Sequence, residues 1–237
     1  MSTESTFRVP PGYERGIRFG ANWTMIISPY MILYFILIVL VGDASASGDI
    51  VAELTFAGNS PIAFKAIAIL DGLFHVLFFV TTIALFAILL SSFPVRASLI
   101  LVCGAWQMLL GFTKGMISFF TVPQLGAAYL AADSTVRSTL MPIADALGGL
   151  HSALQWMDSY GSMFVWILVV LLPPSTNLPR SVRWLGWAMT FGILFPNPGF
   201  LLVVLLSPFW LFLLGRWMKS LTSERIISHP AMEGART

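Results

Sequence analysis

Long stretches without charge constrain this chain more than any other feature of its sequence. Residues 21–41 contain no Asp, Glu, Lys or Arg, although Pro29 lies among them. A helix needs about 20 apolar residues to cross the hydrocarbon core of a bilayer. A helix on the surface of a soluble protein would instead carry charges along one face. The stretch therefore predicts a transmembrane helix.

The overall composition agrees with a chain that lies mostly in lipid. Of its 237 residues, 57% are hydrophobic and only 10% are charged, whereas soluble domains are about 25% charged. The net charge of +2 does not favour a nucleic-acid partner. The single cysteine, Cys103, excludes an internal disulfide and a CxxC motif. We therefore expect an all-α, polytopic helical bundle whose main partner is the lipid bilayer.

Further apolar stretches predict the other spans. The second covers residues 71–91, preceded by an exposed turn from Pro61, and the third covers residues 95–120. The fourth covers residues 153–172, and its helix could begin as early as Pro142. These three stretches and residues 21–41 account for four spans.

The last apolar stretch, residues 184–214, has two interpretations. It is interrupted by Pro-Asn-Pro-Gly at 196–199, which breaks a helix because proline lacks the amide donor and glycine frees the backbone. Either two short spans meet at an outer turn, or one kinked span crosses the membrane.

The distribution of basic residues favours two short spans, and hence about six spans in all. Lys and Arg concentrate on the cytoplasmic side of membrane proteins. With six spans and both termini cytoplasmic, ten of the 13 basic residues lie inside: Arg8, Arg15, Arg18, Arg96, Arg180, Arg183, Arg216, Lys219, Arg225 and Arg236. The predicted organisation is a cytoplasmic tail at 1–20, a bundle at 21–219 and a second cytoplasmic tail at 220–237.

A few ionisable residues fall within the apolar stretches, and their spacing places them on shared helix faces. Asp71 and His75 are four residues apart, as neighbours on one face are. His151, Gln155 and Asp158 follow the same rule on the fourth span. The other acids of the central region are expected to be solvated in outer loops: Asp43, Asp49, Glu53, Asp133 and Asp145.

The depth of each group follows from its distance to the inner end of its span, at about 1.5 Å per residue. Counted in this way, Asp71, Lys114 and His151 share a layer near the outer boundary. His75 and Asp158 form a second layer about one turn deeper. Each layer then holds one carboxylate and one imidazole, which predicts the pairs Asp71–His151 and His75–Asp158.

Our main hypothesis is a polar pocket that opens to the outer face and binds a small molecule, an ion or a proton. A charged group at mid-membrane costs about 2.5–3.5 kcal/mol, so several such groups are expected to pair or to line water. The protein would then be a sensor, a carrier or an accessory subunit. In this hypothesis Lys114 neutralises a carboxylate, and Asn197 in the outer turn caps the group. The predicted site residues are Asp71, His75, Lys114, His151, Gln155, Asp158 and Asn197.

Three alternatives remain open at this point. Asp71, Lys114 and His151 could be boundary residues that reach the headgroups, leaving His75 and Asp158 as one structural ion pair. The chain could be a membrane enzyme with a metal held by two histidines and two aspartates, His75, His151, Asp71 and Asp158, an acceptable set for zinc. It could also be a structural subunit of a larger membrane complex. No sequence motif identifies a cofactor.

Small residues on the third span predict close helix packing. Gly111 and Gly115 form a GxxxG pair, and Gly104 lies seven residues before Gly111. Such stripes let two helix backbones approach in a membrane. We expect the stripe to pack inside the bundle rather than against a second copy of the chain.

Two segments near the C-terminus carry a family resemblance. Residues 178–187, LPRSVRWLGW, are followed by the broken apolar hairpin and by residues 208–217, PFWLFLLGRW. Together they resemble the C-terminal third of a bacterial family of uncharacterised multi-pass membrane proteins, and the order of spans over residues 21–219 is similar. The resemblance implies a bundle of six or seven spans in a prokaryotic plasma membrane, and it implies no activity.

Overall fold

The computed structural model describes residues 12–41, 49–195 and 198–228. Helices joined by short turns and connecting segments make up these three ranges, which contain no strand. The prediction of an all-α protein is therefore confirmed for the described part of the chain.

In the described ranges, eight α-helices follow one another: α1 Glu14–Val41, α2 Ile50–Asn59, α3 Pro61–Leu89, α4 Pro94–Phe120, α5 Val122–Ala131, α6 Ser134–Val170, α7 Arg180–Ile193 and α8 Pro198–Ser228. Helices α2 and α5 have ten residues each and lie in regions that the sequence analysis treated as loops. The predicted spans therefore correspond to the longer helices.

Two predicted boundaries need correction. Residue Pro61 begins α3, where the sequence analysis expected an exposed turn. Proline suits the first turn of a helix because the amide it lacks has no partner there. Helix α6 begins at Ser134 and continues through Pro142, so it is longer than the stretch predicted from its apolar residues. Helix α4 matches the predicted third span closely.

The segment at 184–214 is divided between two helices. Helix α7 ends at Ile193 and α8 begins at Pro198, so the Pro-Asn-Pro-Gly sequence marks a helix break as expected. Helix α7 packs against α8, where the indole Nε1 of Trp210 donates a hydrogen bond to the carbonyl of Val182 over 3.1 Å. Gly186 permits this approach, because a Cβ there would lie 3.1 Å from that Nε1. The described residues of this segment therefore form two helices that pack against each other.

Within the part of the chain that the structure describes, four helical segments are long and apolar enough to cross a membrane: Glu14–Ile38, Pro61–Leu89, Pro94–Ala131 and Leu201–Thr222. Their lengths and compositions indicate a membrane protein. The other two predicted spans correspond to α6 and α7, which are not among these four.

The chain divides into two compact units, and the boundaries fall inside α1, α3, α4 and α6. The first unit comprises the described parts of Met1–Pro29, Leu77–Ala105 and Tyr160–Thr237. In it, Thr24 and Thr81 share a buried hydrogen bond of 2.9 Å between their hydroxyls. Arg183 donates hydrogen bonds to three carbonyls at the end of α6, those of Val170, Leu172 and Pro173, which satisfies groups that a helix end leaves unpaired.

The second unit comprises the described parts of Tyr30–Val76 and Trp106–Ser159. Its apolar core joins α2, α3, α5 and α6 through buried side chains: Leu54, Ala57, Phe64, Val122 and Ala144. Asp49 begins α2 by accepting hydrogen bonds from the amides of Val51 and Ala52, a usual role for aspartate at a helix N-terminus. The core holds α2 against its neighbours in this unit.

The small-residue stripe of α4 packs against α3. A Cβ at Gly115 would lie 2.8 Å from the Cα of Gly72, and one at Gly111 would lie 2.2 Å from the imidazole of His75. The expected packing inside the chain is therefore confirmed, and the stripe places α3 close enough for its polar face to meet that of α4.

Candidate functional site

The second unit contains a buried group of ionisable side chains, which we call the polar cluster: Glu53, Asp71, His75, Lys114, His151 and Asp158. They come from α2, α3, α4 and α6. Two glutamines of α4 and α6, Gln107 and Gln155, contact it. Six of the seven residues predicted as a site therefore lie together, and Asn197 lies outside the described residues.

Lys114 is the permanent positive charge of the polar cluster. Its Nζ lies 2.8 Å from Oδ2 of Asp71, and it also donates a hydrogen bond to Oε1 of Gln155. Tyr34 donates a hydrogen bond to Oδ1 of Asp71 over 3.2 Å. The carboxylate of Asp71 is thus compensated by one cation and one hydroxyl donor.

His75 lies between two carboxylates. Its Nε2 is 3.8 Å from Oδ1 of Asp71 and 3.7 Å from Oδ2 of Asp158. On its other side, Nδ1 lies 2.6 Å from Nε2 of Gln107. The ring of Phe74 packs edge-on against the imidazole, with 5.3 Å between the centroids. The predicted proximity of His75 and Asp158 is present in the structure.

Asp158 lacks the compensation that Asp71 has. Its side chain is 3% exposed, and Oδ1 accepts a hydrogen bond of 3.3 Å from the adjacent Ser159. Oδ2 has no hydrogen-bond partner among the described residues. An isolated buried carboxylate is costly, so such a group neutralises itself or draws a proton to a neighbour.

Among the described residues, buried polar atoms without a hydrogen-bond partner are concentrated around His75. Across the described residues, four buried side-chain nitrogen or oxygen atoms have no hydrogen-bond partner, and three of them are His75 Nε2, Gln107 Oε1 and Asp158 Oδ2. Most buried polar side-chain atoms in proteins do have a partner. Three of the four exceptions therefore lie on neighbouring side chains in or next to the polar cluster.

The pairing predicted for His151 is wrong. Its Nε2 lies 2.8 Å from Oγ of Ser118, and its Nδ1 lies 3.9 Å from Oε1 of Glu53. Asp71, which was expected to face it, is instead held by Lys114. Depth along the helix axis gives the height of a group but not the direction in which it points.

Glu53 is the main residue that the sequence analysis missed. It was expected to be solvated in a loop, but its side chain is only 13% exposed. Helix α2 forms in place of the expected loop, and it places the side chain of Glu53 beside His151 of α6. Three further contact residues were not predicted as part of the site: Tyr34, Gln107 and Ser118. The spacing of Gln107, Lys114 and Ser118 at seven and four residues places all three on one face of α4, a signal that could have identified two of them.

The other outer acids behave as expected where they are described. Asp49, Asp133 and Asp145 are exposed, and Asp133 accepts a hydrogen bond from the amide of Val136 at the start of α6. Asp43 lies outside the described residues. Burial therefore separates Asp71 and Asp158 from these solvated acids.

A metal centre finds no support in the described ranges. In residues 12–41, 49–195 and 198–228, no group of three or more His, Cys, Asp or Glu side chains could hold a metal ion. The four residues proposed for zinc are divided, because His151 contacts Ser118 and Glu53 whereas His75 faces the two aspartates.

Comparisons with known proteins do not assign a family to the chain. No family model matches it, and no curated protein or solved structure gives a significant match.

Proposed function

We propose that this chain is an integral membrane protein whose polar cluster binds and releases protons, acting as a sensor, a carrier or an accessory subunit. The observation that carries the proposal is the buried pair of His75 and Asp158, with 3.7 Å between Nε2 and Oδ2. Among the described residues, neither of these two atoms has a hydrogen-bond partner. With neutral His75 and ionised Asp158 the pair carries one negative charge, which the uptake of one proton would cancel.

The charge balance of the polar cluster supports proton binding. It holds three carboxylates, Glu53, Asp71 and Asp158, against the single ammonium of Lys114. Two further positive charges would neutralise it, and the cluster has two imidazoles that can accept protons near neutral pH. The same site could take a small cation, but the contacts favour protons because the facing atoms include imidazole nitrogens.

Exposure of the side chains suggests the direction of access. Asp71, His151 and Glu53 are 19%, 15% and 13% exposed, whereas His75 and Asp158 are 6% and 3% exposed. Solvent therefore reaches the first three more readily. Protons would enter at the more exposed groups and end at the His75–Asp158 pair.

The proposal includes the membrane topology expected from the sequence: about six spans, both termini in the cytoplasm, and the polar cluster in the outer half of a prokaryotic plasma membrane. Support comes from the basic residues near the predicted inner ends and from the resemblance described above. Helix α6 has 37 residues, enough to cross the hydrocarbon core. Its His151, Gln155 and Asp158 side chains belong to the cluster or contact it, which would keep these three away from lipid.

Cysteine labelling tests this topology because Cys103 is the chain's one native cysteine. In a Cys103→Ser background, Ser134→Cys at the start of α6 should react with an impermeant maleimide in intact cells. Ser2→Cys and Thr237→Cys should react only after permeabilisation. Labelling of all three from the same side would contradict the topology, while leaving the proton site to its own test.

Infrared difference spectroscopy during a pH titration tests proton binding. We expect the wild-type protein in lipid nanodiscs to show a carboxyl or imidazole signal from a buried group, and Asp158→Asn should remove it. Asp145→Asn is the matched control, since Asp145 lies on the same helix and is exposed. Equal spectra for Asp158→Asn and the wild type would contradict the proposal.

Proteoliposomes with an imposed pH gradient separate a carrier from a sensor. A carrier dissipates the gradient, and Asp158→Asn slows that process relative to Asp145→Asn. A sensor leaves the gradient intact but still shows the infrared signal.

A further inference from the structure

Gln107 contacts Nδ1 of His75, on the side of the imidazole opposite the carboxylates. It is completely buried on α4, with its Nε2 2.6 Å from the Nδ1 of His75. Gly111, one turn later, leaves room for the imidazole, because a Cβ there would lie 2.2 Å from the ring. The ring is thus held between an amide at Nδ1 and carboxylates at Nε2.

The amide can meet Nδ1 in two ways. If Nδ1 carries no proton, it accepts a hydrogen bond from the amide nitrogen. If Nδ1 carries a proton, it donates to the amide oxygen, and the two arrangements are related by a half-turn of the amide. Glutamine can therefore serve both states of a neighbouring imidazole, whereas a carboxylate side chain can only accept and an ammonium can only donate.

The observed contacts correspond to the state before proton uptake. The amide nitrogen of Gln107 faces Nδ1, and Oε1 of the same amide has no hydrogen-bond partner in the described part of the chain. When Nδ1 accepts from the amide, the proton of a neutral imidazole lies on Nε2, and this nitrogen is 3.7 Å from Oδ2 of Asp158. With Asp158 ionised, the pair then carries one negative charge.

Uptake of one proton decides whether the amide of Gln107 must donate to Nδ1 or accept a hydrogen bond from it. An O–H bond of a hydronium ion breaks as an N–H bond forms at Nδ1, which releases water and leaves an imidazolium beside the carboxylate of Asp158. If the Nε2 proton then moves to Oδ2, both groups become neutral, but Nδ1 still carries its proton. In both protonated forms, Gln107 has to present its oxygen.

We propose that Gln107 is the positioning residue of the proton site and that its amide inverts when the His75–Asp158 pair takes up a proton. This inference rests on the proposed function, since it requires the pair to titrate. Inversion would direct Oε1 at Nδ1, which provides a partner for an oxygen that otherwise has none.

The surrounding charges leave Asp158 as the carboxylate that balances a proton taken up by His75. Helix α3 contributes Asp71, which is held by Lys114 of α4 at 2.8 Å and by Tyr34 of α1 at 3.2 Å. Glu53 of α2 faces His151 of α6. Proton uptake at His75 is thus balanced by Asp158, the acid without a cation of its own.

Histidine ¹⁵N NMR over a pH titration tests the inference directly, because the chain has only three histidines. Spectra of His151→Ala and His229→Ala assign the signals of His75 by elimination. In the wild type, we expect Nδ1 of His75 to change from an unprotonated to a protonated nitrogen as the pH falls.

Two variants at Gln107 should move this transition in opposite directions. Gln107→Glu offers only acceptors and adds a negative charge, so His75 should stay protonated at Nδ1 to a pH about 1–3 units higher. Gln107→Met removes the acceptor at similar size, so Nδ1 should gain its proton only at lower pH. Gln155→Glu is the matched control, since Gln155 accepts a hydrogen bond from Lys114 and, among the described residues, forms none with His75.

The outcomes separate the inference from the proposed function. Opposite shifts for the two Gln107 variants, larger than that of Gln155→Glu, support the inversion. A wild-type transition that neither variant moves overturns the role of Gln107 but leaves the proton site intact. A His75 that does not titrate in the wild type overturns both.

Discussion

The Nε2 atom of His75 lies 3.7 Å from Oδ2 of Asp158, and the two side chains are 6% and 3% exposed. They come from α3 and α6, so the contact joins two helices that are distant in the sequence. Few ionisable groups are tolerated at such burial unless they are paired. This relationship is the basis of the first prediction.

The free-energy changes of His75→Ala and Asp158→Asn should not be additive. Each single variant leaves the other side chain buried without its partner, whereas the double variant removes both. Contacting residues usually show a coupling of about 0.5–3 kcal/mol, so the double variant should lose less stability than the sum of the singles. Unfolding in mixed detergent micelles measures the free energies, and Asp145→Asn combined with His75→Ala should be additive.

Gly111→Ala should destabilise the protein and displace the imidazole of His75. A Cβ at this position would lie 2.2 Å from the ring, and overpacking of this kind costs about 1–3 kcal/mol. Gly149→Ala is the matched control, because a Cβ there meets nothing within 4 Å and the residue is exposed on α6. Its expected effect is a gain of about 0.5–1 kcal/mol, since alanine favours a helix over glycine. Equal losses for both variants would contradict the packing described for α4.

Lys114→Met should be strongly destabilising, and adding Asp71→Asn should restore part of the loss. Breaking a buried ion pair costs about 3–5 kcal/mol because one charge stays behind. The lower end applies here, since the side chain of Asp71 is 19% exposed. Lys65→Met is the control, because Lys65 lies 5.3 Å from the ring of Phe119, a contact worth about 0.5–1 kcal/mol at exposed sites. No recovery in the double variant would count against the ion pair.

Glu53→Gln should favour the neutral form of His151. The carboxylate of Glu53 lies 3.9 Å from Nδ1 of His151, and a nearby negative charge stabilises the imidazolium. Histidine ¹⁵N NMR at fixed pH would show a smaller imidazolium fraction for this residue. Asp49→Asn removes a charge from the same region yet keeps the helix cap, so it should leave the signal of His151 unchanged. If both variants lowered the imidazolium fraction of His151 equally, Glu53 would not belong to the polar cluster.

The helices of the membrane region were predictable because their signal is local. Residues 21–41 and 95–120 are long apolar stretches, and the structure places α1 and α4 over them. The spacing of Asp71 and His75 also needs only helix geometry, since residues four apart share a face. No knowledge of neighbouring helices enters either prediction.

The partners within the polar cluster were harder to predict. Counting residues gives the height of a group in the membrane, and on that basis Asp71 was assigned to His151. The direction of each side chain depends on the rotation of its helix, which packing decides. Close contact at Gly111 and Gly115 sets how α4 faces α3, and it places Lys114 rather than His151 beside Asp71.

Glu53 was missed for a related reason. The sequence shows one acid between two apolar stretches, a pattern typical of a solvated loop. Burial of Leu54 and Ala57 in the core of the second unit holds α2 in place, and this turns the carboxylate of Glu53 towards α6. Such docking depends on residues far apart in the chain.

The amino-acid sequence alone determined that this protein is helical and suited to a membrane, because apolar length and scarcity of charge act within each segment. It also determined which ionisable groups lie among apolar residues. The tertiary structure decided which of those groups meet, left Asp158 without a cation of its own and placed Gln107 against His75. Those outcomes depend on how helices rotate and pack, and packing is a property of pairs of segments that no single segment contains.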